Sequence, residues 1–369
     1  MGRGLYVHIP FCVSKCAYCD FYSLPNRLDS LNVYLDALLM EAVQYGKLRF
    51  ETLFIGGGTP SLLGGKGLNR LMKGLRGQFL ISKRAEATIE ANPESISVEL
   101  LQAALKGGIN RISIGVQSLS DNELRSVGRA HNAAQAVKAI ELAQKEGFEN
   151  ISTDVILGLP GQNWQSLMTT LECLVGWELQ HISMYCLALE PHTPLAENPP
   201  SDLPSDDEQA QLYEQAVGLL EKRGFRHYEI SNFALPGYEC KHNLNYWRGG
   251  EYIGLGTAAA SHHKGCRYKN KSDLDSYLAN PCGQKEEMEK LKKPEKAAEE
   301  AILRLRLLQE GLDFESLIQK YGDENVIALA ARLNKLSKKN QLRRDGSIYR
   351  LNSEDALVSN SILAELMGD

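Results

Sequence analysis

Through the first 225 residues, short apolar runs alternate with longer stretches in which apolar positions recur every three or four residues. Six runs read as strands: Leu5–Ile9, Thr52–Ile55, Ala87–Ala91, Arg111–Val116, Ile151–Leu157 and His181–Leu187. They favour β-branched and aliphatic residues, which suit a pleated, packed surface. The intervening stretches predict helices, most clearly where Leu31, Tyr34, Leu35, Leu38, Leu39, Ala42 and Val43 fall on one stripe. Strands joined by crossover helices pair in parallel, so the pattern predicts an α/β fold. Six units suit a partial (β/α)6 barrel better than a closed eight-unit one.

The pattern changes after Phe225. Over residues 226–283 aromatics, Gly, Asn and His dominate and helical periodicity fades, which predicts an extension of short strands and loops. Residues 284–296 mix charges around Pro294 and predict an exposed linker. Residues 297–369 predict a separate C-terminal domain. Its helices are Ala297–Gln309, with Ile302, Leu305 and Leu308 on one face, then Phe314–Lys320 and Val326–Lys338. A hairpin over Leu342–Leu351 turns at Asp345-Gly346, and a last helix covers Ser353–Met367. Helix-helix-helix-hairpin-helix resembles a winged helix.

Composition narrows the classes. Of 369 residues 43% are hydrophobic and 24% charged, which supports a large packed core and excludes a disordered chain. The 41 basic and 46 acidic residues give a net charge of −5, so bulk charge does not direct this chain to nucleic acid or membranes. Lys335, Lys338, Lys339, Arg343, Arg344 and Arg350 do cluster around the hairpin, but a charge run of this kind is usually a solvated face. His8, Pro10 and Lys15 break the first apolar stretch before a signal-peptide core forms, and no run of about 18 apolar residues occurs. A cytoplasmic location without an integral membrane segment is expected, with peripheral membrane contact left open.

In a reducing compartment, the eight cysteines point to metal binding or redox work rather than disulfides. Three of them cluster, as Cys12-Val-Ser-Lys-Cys16-Ala-Tyr-Cys19 directly after the first strand. Three thiolates can hold an iron–sulfur cubane with one iron left free of protein, since cubanes normally take four cysteines. A Cys16–Cys19 redox pair, or a zinc site of the three cysteines with His8, stays open on spacing alone. Further polar residues fall at or after successive strand ends: Gly56–Ser61, Glu90, Gln117, Arg129 and Asp154. In a parallel barrel these ends share one mouth, where ligands bind.

The C-x3-C-x2-C motif, with Tyr18 before its last cysteine, resembles the hallmark of the radical S-adenosylmethionine (SAM) superfamily. The resemblance implies a [4Fe–4S] cluster on Cys12, Cys16 and Cys19, whose open iron chelates S-adenosyl-L-methionine. In that family one electron delivered into the sulfonium cleaves its C–S bond to give a deoxyadenosyl radical. Further phrases carry the likeness to the branch shared by oxygen-independent coproporphyrinogen III oxidases and HemW-type heme chaperones. They are Tyr6-Val-His-Ile-Pro-Phe-Cys12, Gly56–Ser61, Ile89-Glu-Ala-Asn-Pro93, Arg111-Ile-Ser-Ile-Gly-Val-Gln-Ser118, Asp154-Val-Ile-Leu-Gly-Leu-Pro-Gly161 and Tyr228-Glu-Ile-Ser-Asn-Phe233. On the matching positions, Tyr6, Tyr18, Gly57, Gly58, Thr59, Glu90, Gln117, Arg129 and Asp154 are implied to surround SAM.

Two departures separate the chain from the oxidases. Phe21 stands where the oxidase-type motif has a fourth cysteine, and eleven residues precede Cys12 where the oxidases carry a long segment. His242-Asn243-Leu244-Asn245-Tyr246-Trp247 is similar to the HNxxYW pattern of the chaperones. Imidazole is a heme-iron ligand, and Tyr and Trp offer flat apolar faces to a porphyrin. On residues alone the run also reads as a packed turn. The resemblance makes His242, Asn243, Tyr246 and Trp247 the expected heme site, with His227, Cys240, His262 and His263 as candidate second ligands.

The expected function is therefore a heme chaperone with a cluster and SAM, without coproporphyrinogen oxidase activity. Heme, acceptor hemoproteins, an electron donor for the cluster and a second copy of the chain are its expected partners, and no nucleic acid. The alternative is a radical SAM enzyme acting on a tetrapyrrole.

Overall fold

The computed structural model describes residues 2–283 and 285–367. Its centre is six parallel strands, neighbours in chain order: β1 (Gly4–Ile9), β2 (Arg49–Gly57), β3 (Leu80–Ala91), β4 (Arg111–Gln117), β5 (Ile151–Leu157) and β6 (His181–Cys186). The helices that follow them are α1 (Leu31–Val43), α2 (Gly64–Gln78), α3 (Val98–Gly107), α4 (Ala133–Glu146), α5 (Trp164–Gly176) and α6 (Asp206–Lys222). This is the predicted partial (β/α)6 barrel. Strand β4 is buried at every position, as expected where helices cover one face and the barrel interior the other. Ser97, Asn132, Asn163 and Ser205 accept backbone N–H bonds at the starts of α3 to α6, so each helix begins at a defined residue. Strands β2 and β3 start earlier than the apolar pattern indicates, because the exposed, charged Arg49, Lys83 and Arg84 break it.

Short strands extend both edges. Antiparallel β7 (Arg226–Glu229) and β8 (Asn232–Ala234) follow β6, and β9 (Tyr252–Leu255) pairs in parallel with β1. Beyond β9 lie antiparallel β10 (Ala260–His263), β11 (Cys266–Lys269) and β12 (Glu286–Glu289). The twelve-stranded order is β12-β11-β10-β9-β1-β2-β3-β4-β5-β6-β8-β7. Two expectations need correcting. The HNxxYW run is a helix, α7 (Lys241–Trp247), rather than part of a loop. The stretch expected as a linker over 284–296 contains β12, an exposed charged strand on the sheet edge, and the start of the next helix; position 284 itself lies outside the described residues. Edge strands carry charges that deter further pairing, which is why this one reads as a linker.

The C-terminal region contains α8 (Lys293–Leu305), β13 (Leu312–Asp313), α9 (Phe314–Tyr321), α10 (Asp323–Lys338), β14 (Leu342–Asp345), β15 (Ile348–Leu351) and α11 (Ser359–Ala364). Helix α8 starts ahead of Ala297, with Pro294 in its first turn where a missing N–H costs nothing, and stops before Gln309. The three strands form an antiparallel sheet ordered β13-β15-β14, and the final segment splits into a 3-10 turn over Ser353–Val358 followed by α11. Contacts of this region with the barrel extension include Leu308 N to Tyr228 O at 3.1 Å and Leu307 packed with Tyr228, Leu244 and Trp247. Much of the basic cluster is engaged internally. Lys335 and Lys339 pair with Glu365, Arg350 Nε bonds Gln309 O, and Arg344 lies over Tyr349. No helix among the described residues is long and apolar enough to cross a membrane.

Candidate functional site

Strand β1 ends at Ile9, and the chain turns at once into the thiol loop. Phe11–Cys12 pairs with Leu24–Pro25, so the segment between them closes on itself. Ala17 N bonds Val127 O at 3.0 Å, and Leu195 N bonds Ala17 O at 2.9 Å, which fasten the loop to the barrel rim. All three cysteines are free, as are the other five. Thr59 Oγ1 donates to Cys12 Sγ at 3.5 Å, and Arg129 Nη1 donates to Cys16 Sγ at 3.6 Å. Burial raises the Cys12 and Cys19 thiols above their ordinary range, so they shed their protons for a metal rather than for water.

The glycine run after β2 passes under this loop. Gly58 N bonds Ile9 O at 2.8 Å, and a Cβ on Gly58 would lie 2.7 Å from Phe11 O and 3.0 Å from Cys12 Sγ. Gly57 has φ +118°, and its Cβ would meet the His8 ring at 2.6 Å. Only glycine fits either place. Thr59 is buried and accepts from Asn92 Nδ2 at 3.1 Å. Glu90, at the end of β3, accepts from Gly57 N at 3.0 Å; burial, with the Asp154 charge added, pushes its carboxyl up to about 8. Burial also raises Asp154, which accepts from Ser113 Oγ at 3.3 Å. Gln117 is buried in left-handed backbone at φ +66°, a costly conformation common at functional sites. Arg129 Nη2 donates to Gly115 O at 2.8 Å and Asn92 Oδ1 at 3.0 Å, while its buried Nε has no partner. Tyr18 packs with Val127, Ile156 and Leu159 beside Arg129. Free thiols in one loop, a cradle that side chains would fill and an unpartnered guanidinium nitrogen suit a thiolate-held cluster with a carboxylate-bearing ligand beside it.

His8 is already committed. Its Nε2 lies 2.9 Å from Tyr22 O, which only a protonated nitrogen can satisfy, so Nδ1 accepts from the Tyr6 hydroxyl at 2.9 Å. Burial lowers its pKa to about 4, and no free lone pair is left for the zinc alternative.

The HNxxYW helix divides its residues between two surroundings. His242 is fully buried, stacked on Phe54 at 5.2 Å, with Nδ1 at 2.8 Å from Thr52 Oγ1 and Nε2 at 2.8 Å from the Tyr246 hydroxyl. Burial, with a smaller effect of Arg111, lowers its pKa to about 3. Tyr246 and Trp247 instead line a cavity of about 550 Å³, within the ~300–1,000 Å³ usual for cofactor sites. Tyr6, Phe21 and Tyr22 from β1 and the thiol loop line it too, so the two predicted sites share a wall. Asn243 is half-buried, and His242 does not line the cavity. Neither do the other candidate ligands: Cys240 is buried beside Glu86, His227 stacks on Phe233, and His262 bonds Gly250 O.

Sequence reasoning misses Glu86. From β3 its carboxylate accepts Lys241 N and His242 N at 3.0 Å each, and the Cys240 thiol at 3.5 Å. It thereby caps α7, which has no side-chain cap of its own. Asn92 and Thr52 are missed as well, since each acts by holding a predicted residue.

Residues 6–174 match the Radical SAM superfamily. The heme chaperone HemW of Lactococcus lactis is 34% identical over 371 residues, covering 100% of this chain and 98% of its own length. The chain belongs to the HemW family. HemW of Bacillus subtilis is 32% identical over the full length of both, and HemW of Escherichia coli is 41% identical over 69% of each. As a radical SAM branch, the HemW family carries the [4Fe–4S] cluster and SAM of its superfamily. The solved structure of coproporphyrinogen III oxidase (HemN) from Escherichia coli, a radical SAM enzyme, covers 100% of this chain with a TM-score of 0.88. At 24% identity over 90% of that oxidase, it shows the shared fold.

Proposed function

We propose that the chain is a heme chaperone: it holds heme in the aromatic cavity beside its cluster and delivers it to acceptor hemoproteins. The observation that carries this reading is the shared wall, where Asp20, Phe21 and Tyr22 continue the chain from Cys19 and face the same space as Tyr246 and Trp247. Cys12, Cys16 and Cys19 hold the cluster. Gly57, Gly58 and Thr59 leave room for the methionyl end of SAM, Arg129 faces its carboxylate, and Tyr6, Tyr18, Glu90, Gln117 and Asp154 enclose the rest. Bound to a reduced cluster, SAM supplies C–S cleavage chemistry; the chain's own residues position it and exclude water. An electron donor for the cluster and a second copy of the chain are partners compatible with this reading.

Tyr246 and Trp247 give the porphyrin apolar faces, and His242 braces Tyr246 from within. For His242 to ligate heme iron, its Nε2 has to release the Tyr246 hydroxyl. The second reading, a radical enzyme acting on a porphyrinogen, has the fold of HemN in its favour. Reconstituted protein incubated with coproporphyrinogen, SAM and reductant separates the two: no protoporphyrinogen is expected, and its formation at catalytic rates assigns the chain to the enzyme class.

A further inference from the structure

One strand puts two cations into the otherwise largely apolar cavity. Arg267 and Lys269 are two apart on β11, so the pleat sends both side chains to the same face. Tyr268 between them turns the other way and meets the Tyr45 hydroxyl at 3.3 Å. Both cations line the cavity, and among its described lining residues the one carboxylate is Asp20. Their present partners are half-satisfying. Glu299 lies 2.9 Å from Arg267 Nη2 and leaves most of a five-donor guanidinium unused, and Glu287 stands 3.6 Å from Lys269 Nζ. Ala258, Ala260, Gly249 and Gly250 keep other parts of the wall small.

We propose that Arg267 and Lys269 anchor the two propionate carboxylates of heme, whose ring lies against the aromatic wall; this rests on the heme reading above. Heme is a rigid apolar disc with two carboxylates on one edge. A cavity with aromatic walls and a paired cationic strand matches both parts at once. An unpaired carboxylate entering partly apolar surroundings loses hydration, and charge-assisted bonds to Arg267 and Lys269 offset that loss. The same count selects among tetrapyrroles. Two cations match two propionates, whereas a porphyrinogen with four leaves two uncompensated in a cavity that already holds Asp20.

The test titrates the cluster-loaded protein with ferric mesoporphyrin, its dimethyl ester and ferric coproporphyrin, read by absorbance. Wild type is expected to prefer the diacid over the diester by about tenfold or more, and over the tetra-acid as well. In the Arg267→Gln/Lys269→Gln double variant the diacid preference disappears while diester affinity stays within about twofold; Arg267→Lys retains it. Equal affinity for diacid and diester in wild type, or a preference that survives in the double variant, overturns the anchor and leaves the heme reading standing. Failure of wild type to bind either ligand removes the heme reading and the anchor with it.

Discussion

Glu86 acts on one half of the site from a place that no local pattern reveals, whereas Arg129 touches the other half directly. Glu86 caps the helix carrying Tyr246 and Trp247, and fully buried Arg111 is its neighbouring cation. Glu86→Leu strands the buried His242 N–H, frees the part-buried Lys241 N–H and removes a carboxylate that faces Arg111, which costs about 3–5 kcal/mol, whereas Glu86→Gln keeps an acceptor and costs less. Urea unfolding of the two variants checks the order; equal costs would contradict it. Arg129 ties Cys16 to Gly115 and Asn92. Arg129→Lys keeps the charge but loses the planar fork, so SAM affinity measured by equilibrium dialysis falls at least about tenfold. The three thiols and the strand-end polar residues are legible from spacing. The inward turn of His242 is not, because its partners Thr52 and Tyr246 are set by the fold.

At the scale of elements, the barrel strands follow from apolar runs, but α7 does not. Asn, His and Tyr are weak helix formers, and the helix starts without a cap of its own, so what holds it is Glu86 on a strand far away in sequence. The hairpin β14–β15 is legible because Asp345-Gly346 names its turn, with Gly346 at φ +59°. Strand β12 is hidden by its four exposed residues, three of them Glu. The glycine cradle is an element whose function lies in missing atoms. Gly58→Ala pushes a methyl group against Phe11 O and Cys12 Sγ, and Gly57→Ala adds backbone strain at positive φ. Each is expected to destabilise the protein by more than about 1 kcal/mol and to lower the iron and sulfide retained after anaerobic reconstitution. Full retention in both variants would show that the thiol loop does not rest on the cradle.

For the whole molecule, buried titratable groups set opposing pH dependences. His8 and His227 are lowered to about 4, His242 to about 3, and His181 well below its ordinary value, all mainly by burial. Unfolded histidine takes a proton near pH ~6.5 and these folded ones do not, so their contribution is full above that pH and is lost below it. Burial raises Glu90 to about 8 and Glu229 to about 7. Their contribution is full below the unfolded carboxyl range, near pH ~4.3, and is lost as pH rises through 7 to 8. The four histidines outweigh the raised carboxyls of Glu90, Glu229 and Asp154 below about pH 6.5, and Glu90 and Glu229 set the slope above it. The cluster-free protein is therefore expected to be most resistant to urea near pH ~6.5, with Glu90→Gln flattening the alkaline side; a monotonic profile would contradict the assignment.

The claim on which the account stands is that one cavity, walled by the cluster loop and α7, carries heme for transfer. The most direct measurement mixes cluster-loaded, heme-saturated protein with an apo-hemoprotein and follows the absorbance of both. About one heme per chain, unchanged cluster absorbance and passage of heme to the acceptor are expected. Cluster-loaded protein that takes up no heme, or holds it and yields none to any acceptor, would contradict it.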